Sequence, residues 1–153
     1  MRRDQMSIIK NMGRNILWLL ALLAILGTGG CGPTLKQLRE MPSSNEKRIS
    51  KDGNCVYVKT KGFAFDKQPH SIFAQLIWQS SWDDTEKTGE IFAMVEGYSK
   101  YPIIFKIKVE RSETFLSVSY DPNEHLGRYK DIAMEIFDGA DYSRCPEIKD
   151  RPQ

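Results

Sequence analysis

Residues 90–120 hold three apolar runs separated by short connections, and no other feature constrains the fold as much. Glu90–Glu96 is almost continuously apolar, as a central strand should be. Ile103, Phe105, Ile107 and Val109 then alternate with Ile104, Lys106, Lys108 and Glu110, the pattern of a strand buried on one face. Leu116, Val118 and Tyr120 alternate with Ser117 and Ser119 in the same way. Arg111-Ser112-Glu113 is short enough for a hairpin, and Gly97–Tyr101 joins the preceding pair. The reading is an antiparallel β-meander.

The flanks supply the remaining elements. Cys55–Thr60 is β-branched and aromatic, which predicts a strand that continues through Phe63 and Phe65. Pro69 can open a helix, and Ile72, Phe73, Leu76, Ile77 and Ser80 then share one helical face. The polar stretch Asp83–Gly89 ends it. After Asp121-Pro122-Asn123 breaks the last strand, Leu126, Tyr129, Ile132, Ala133, Ile136 and Phe137 recur at helical spacing, and Gly139 supplies the stop. The expected order is β-α-β-β-β-α. This is an α+β domain over residues 53–148 with two helices packed on one face of the sheet, followed by a tail at 149–153.

Ahead of this domain, Ile16–Leu26 is an uncharged run of 11 residues preceded by Arg2, Arg3, Lys10 and Arg14 against one acid, Asp4. At about 1.5 Å per residue the run covers roughly 17 Å, short of a bilayer core of about 30 Å and suited to a signal-peptide core. An uncleaved anchor is the second reading. Thr28-Gly29-Gly30-Cys31 follows directly, so a small-residue site precedes a cysteine. The arrangement resembles the lipobox of bacterial lipoproteins, with Thr28 standing where that family usually has an aliphatic residue. The resemblance covers residues 12–32 and implies removal of residues 1–30, acylation of Cys31 with palmitate and a membrane anchor. It also implies passage to the outer membrane, because Gly32 stands where the resembled system uses Asp for inner-membrane retention. Met12 is an alternative start.

Removing residues 1–30 removes four basic residues and one acid, so the formal charge goes from +2 to −1. The remaining 123 residues suffice for one domain. The near-neutral balance and the export signal give no case for nucleic acid. The order α-β-β-β-α does match that of double-stranded RNA-binding domains, but the loop and helix residues are not basic enough to grip phosphates. Residues 31–52 read as a lipidated flexible tether, because Pro42–Arg48 has no apolar residue to bury. Within it, Thr34 and Gln37 have capping-box spacing before Leu38, enough for a frayed helical turn or two. With Cys31 acylated, Cys55 and Cys145 remain as a disulfide pair in the oxidising periplasm, the alternative being two separate buried thiols.

No catalytic set stands out, so an enzyme is not expected. Cys55, Cys145, His70 and His125 lack the close pair spacing of zinc sites, and Asp83–Glu86 and Asp121–Glu124 lack the calcium-loop pattern. No metal or cofactor is expected. Trp78 and Trp82, four apart on the predicted helix, could join Tyr98 and Tyr101 in an aromatic surface for a partner, or pack against the sheet instead. The leading expectation is a non-enzymatic lipid-anchored envelope module that binds a protein partner or serves a structural role. The second is a carrier of small apolar ligands, with a cavity between Phe73, Ile77, Phe105 and Phe137.

Overall fold

Phe105 stands at the centre of the fold, directly opposite Ile91 on one neighbouring strand and Val118 on the other. The computed structural model describes residues 32–67, 75–123 and 128–148. It places the three expected strands as β3 (Thr88–Val95), β4 (Ile103–Glu110) and β5 (Glu113–Tyr120). Strands β1 (Asn45–Ile49) and β2 (Leu76–Asp83) complete one antiparallel sheet in the order β1-β5-β4-β3-β2. The helices are α1 (Leu35–Glu40), α2 (Gly53–Asp66) and α3 (Arg128–Gly139). The fold is α+β, with helices packed against an antiparallel sheet.

Residues directly opposite in antiparallel pairs project to the same side, so the register makes one continuous apolar face. Ile103, Phe105 and Ile107 of β4 line up with Ala93, Ile91 and Gly89 of β3 and with Tyr120, Val118 and Leu116 of β5. Val56, Tyr57 and Ala64 from α2 and Ala133, Ile136 and Phe137 from α3 close over it. The opposite face holds a smaller cluster of Leu38, Phe92 and Ile104 under α1, and elsewhere mixes polar residues with Ile77, Met94 and Phe115.

Three expected elements differ from those found. Residues 53–66 are a helix, not a strand. The Asp52 side chain caps it by accepting from the Cys55 N–H at 2.9 Å, and Val56, Tyr57, Thr60 and Ala64 bury one helical face against the sheet. That tertiary burial overrides the β-propensity of Cys55–Thr60. Residues 76–83 are a strand, not the end of a helix. Their period is two: Leu76 and Trp78 are buried while Ile77 and Gln79 face outward. Residues 68–74, with Pro69, His70, Ile72 and Phe73, lie outside the described residues, as do His125 and the tail at 149–153.

The third difference concerns the expected tether. Residues 35–40 and 45–49 belong to the folded unit that begins at Gly32. The capping box forms as its spacing predicts, with the Gln37 N–H on Thr34 Oγ1 at 3.3 Å and the Thr34 N–H on Gln37 Oε1 at 2.9 Å. What the sequence concealed is docking. Leu38 is 0% exposed, and the Arg39 guanidinium holds the Glu90 carboxylate with contacts of 3.0 and 2.6 Å. Strand β1 is polar because it is an edge strand with little surface to bury, and by composition it looks like a linker.

Candidate functional site

Cys55 lies in the first turn of α2 and Cys145 just beyond α3, and the two are joined in a disulfide with Cα atoms 5.7 Å apart. The chain around the bridge is fastened independently. The Asp52 N–H donates to the Pro146 carbonyl at 2.8 Å, Lys51 pairs with Glu147 at 3.0 Å, and Thr114 Oγ1 donates to the Lys51 carbonyl at 2.7 Å. The bridge therefore ties the first long helix to the end of the domain across a separation of 90 residues.

The four aromatic residues expected to form one surface are dispersed. Trp78 is 4% exposed, with its ring 6.3 Å from that of Phe105, and its indole N–H has no hydrogen-bond partner among the described residues. It is a core residue. Trp82 lies on the same face of β2 at the margin of that core, 5.3 Å from the Tyr57 ring, and its indole N–H donates to Asp84 at 2.9 Å. This bond, and behind it the Lys87 ammonium, holds the Asp84 carboxyl below the usual carboxylate range. Gly89, opposite Trp82, makes room for the stack: a Cβ there would lie 2.7 Å from Trp82 Cε3 and 2.9 Å from Tyr57 Cδ2. Tyr101 belongs to the other face of the sheet, 5.8 Å edge-on to Phe92. Only Tyr98, 59% exposed, projects freely.

The cavity expected for an apolar ligand is not assembled. Ile77 projects from the face of the sheet opposite Phe105, and Phe105 and Phe137 are packed into the core. Phe73 lies outside the described residues. Two shallow surface depressions occur elsewhere. One runs along α2 and the segment after α3, lined by Val58, Phe63 and Ala140 with Lys59, Asp66 and Asp141. The Asp141 carboxyl is held low first by the Ser143 backbone N–H, so it is already engaged. The other crosses β2, β3 and β4 beside Thr88, Glu90, Lys106 and Lys108. Its charges are committed too: Glu90 to Arg39, Lys106 to the Arg39 carbonyl, and Lys108 to Glu110. Among the described residues, no group of three or more His, Cys, Asp or Glu could hold a metal ion.

Two arrangements escaped the sequence reading. Lys47 of β1 points inward, donating to the Phe137 carbonyl at the end of α3 with its ammonium 4.5 Å from the Phe137 ring centroid. Burial pushes its pKa below the usual lysine value, and Asp138 partly opposes the shift. The second is the entry of the chain into the domain. The Tyr101 N–H donates to the Pro33 carbonyl at 3.1 Å, which fastens the start of the folded unit to the β3–β4 connection. Both contacts join residues distant in sequence, and neither has a local signal. Comparison of the chain with protein-family models, with curated proteins and with solved structures finds no match.

Proposed function

We propose that the chain is a lipid-anchored protein of the bacterial envelope, acylated at Cys31, whose single domain is a partner-binding or structural module rather than an enzyme. The observation that carries this reading is the allocation of the cysteines. The chain has three, and the domain uses Cys55 and Cys145 in one bridge. Such bridges form and persist in oxidising compartments, which supports export, and Cys31 remains for the anchor behind its Thr28-Gly29-Gly30 site. Gly32 favours the outer membrane over the inner. No helix among the described residues is long and apolar enough to cross a membrane.

The test is metabolic labelling with palmitate in a bacterial host expressing the full chain. Label is expected in the wild type and absent in Cys31→Ser, with the substituted chain unprocessed or released. Equal labelling of the two chains would overturn the anchor. Affinity capture from detergent-solubilised envelope, read against a Cys31→Ser control, then addresses the partner.

A further inference from the structure

The chain enters the folded domain without slack. Pro33 is bonded to Tyr101, and Gly32 (φ +139) is so close to Lys100 that a Cβ at that position would meet Lys100 Cδ at 3.1 Å. The residue that follows Cys31 is thus fixed beside the β3–β4 connection. One residue of extended chain spans at most about 3.6 Å, so a lipid on Cys31 would enter the bilayer within about one residue of that connection. An anchored domain attached this way cannot stand away from the membrane.

Resting on acylation of Cys31, we propose that Gly97–Tyr101 is the lipid-contact surface of the domain, seated in the headgroup region of the anchoring membrane with Tyr98 as the inserted side chain. Tyr98 is the most exposed of the large hydrophobic residues among those described, and it has no place in either core cluster. A tyrosine combines an apolar ring with a polar tip, the combination enriched at membrane–water interfaces. The Lys100 ammonium lies 5.5 Å from the Tyr98 ring centroid, so its stem can follow the ring while its head reaches phosphate. Gly97, at φ +77, turns the chain outward at this point, with nothing near its Cβ position. Glu96, exposed on the same connection, balances Lys100, and the nearby Asp121 is buried and accepts from the Asn123 N–H at 2.9 Å. The surface is therefore not basic, and its fit to lipid comes from the aromatic ring rather than from attraction to anionic headgroups. The domain is held in one orientation, with the Asp84–Lys87 turn at the far end of β3, about 24 Å away at 3.4 Å per residue.

The experiment uses the full chain, expressed and processed in a bacterial host and reconstituted into vesicles of phosphatidylethanolamine and phosphatidylglycerol carrying brominated acyl chains. Mass spectrometry of the N-terminal peptide comes first, because a mature chain lacking acyl groups overturns the anchor reading itself. On acylated protein, Tyr98→Trp is expected to show blue-shifted emission and quenching about twofold or more above the wild-type background of Trp78 and Trp82, as an interfacial residue should. Glu86→Trp, in the distal turn, is expected to add none. A flexible Gly-Ser insert between Gly32 and Pro33 should leave acylation intact and bring the two probes to equal quenching. Tyr98→Trp quenching no greater than that of Glu86→Trp without the insert, or a difference that the insert leaves undiminished, would overturn the proposal.

Discussion

Under α2 and α3, one face of the sheet presents Ile91, Ile103, Phe105, Ile107, Leu116 and Val118 as a single apolar layer, closed by side chains from both helices. On the other face, Leu38 of α1 meets only Phe92 and Ile104, with Leu35, Met41 and Tyr101 at the margin. The first face carries most of the burial that stabilises the domain, since stabilisation scales with apolar area removed from water at about 25 cal/mol per Å². The second face does something else. It fixes the beginning of the folded chain to the β3–β4 connection and to β3 through Arg39 and Glu90. A sheet that needs only one covered face leaves the other available for positioning.

If that division is right, truncations on the two faces should differ in kind as well as in size. Phe105→Ala and Trp78→Ala are each expected to cost roughly 3–5 kcal/mol in global denaturant unfolding, through lost burial and a residual cavity. A loss below about 1 kcal/mol for either, typical of surface positions, would remove it from the core. Cys145→Ser should follow at roughly 2–5 kcal/mol, the range for native disulfides in small secreted domains. Thiol titration of the denatured, unreduced wild type should find neither Cys55 nor Cys145 reactive.

Leu38→Ala should cost about 2 kcal/mol, near the low end for such truncations, because a three-residue cluster can relax around the gap. Hydrogen exchange should accelerate in α1 while the β4 and β5 amides keep their protection, since opening is local. If β4 and β5 lose protection together with α1, the two faces are one cooperative unit and the contrast fails.

The smallest effect belongs to Lys47, which lies on the helix-covered face of edge strand β1. Its folded pKa is depressed by burial, so the folded state holds this proton less tightly than the unfolded state. Stability should therefore rise as pH rises through the folded pKa toward the unfolded one, and Lys47→Met should remove that increment. At neutral pH the substitution should change stability by no more than about 1 kcal/mol, as for partly exposed charged contacts. An inward-pointing lysine also discourages pairing at a free strand edge, so light scattering of Lys47→Met on heating would reveal what it guards against.

The meander and α3 were legible because their signals are local. Alternation in Ile103–Glu110, broken at Ile104, and in Leu116–Tyr120 is the period of a strand with a buried face, and the spacing of Tyr129, Ile132, Ala133, Ile136 and Phe137 allows no periodicity but a helix. The disulfide was legible once Cys31 had been assigned to an anchor. Residues 53–66 and 76–83 were exchanged between helix and strand because both are short apolar runs, where propensity and spacing give competing answers. Val56, Tyr57, Thr60 and Ala64 do recur at helical spacing, but that pattern decides the element only with the sheet beneath it.

The sequence by itself therefore determined the three central strands, the last helix and the pairing of Cys55 with Cys145, each written in a local period or a residue count. Tertiary structure alone decided that Trp78 is core and Tyr98 is surface, that Lys47 turns inward, and that Leu38 and Pro33 fasten the expected tether to the sheet. Those outcomes depend on which stretches of chain, distant in sequence, meet in the fold. A polar edge strand, a short docked helix and a flexible linker have the same composition until a second surface is present to bury one of them.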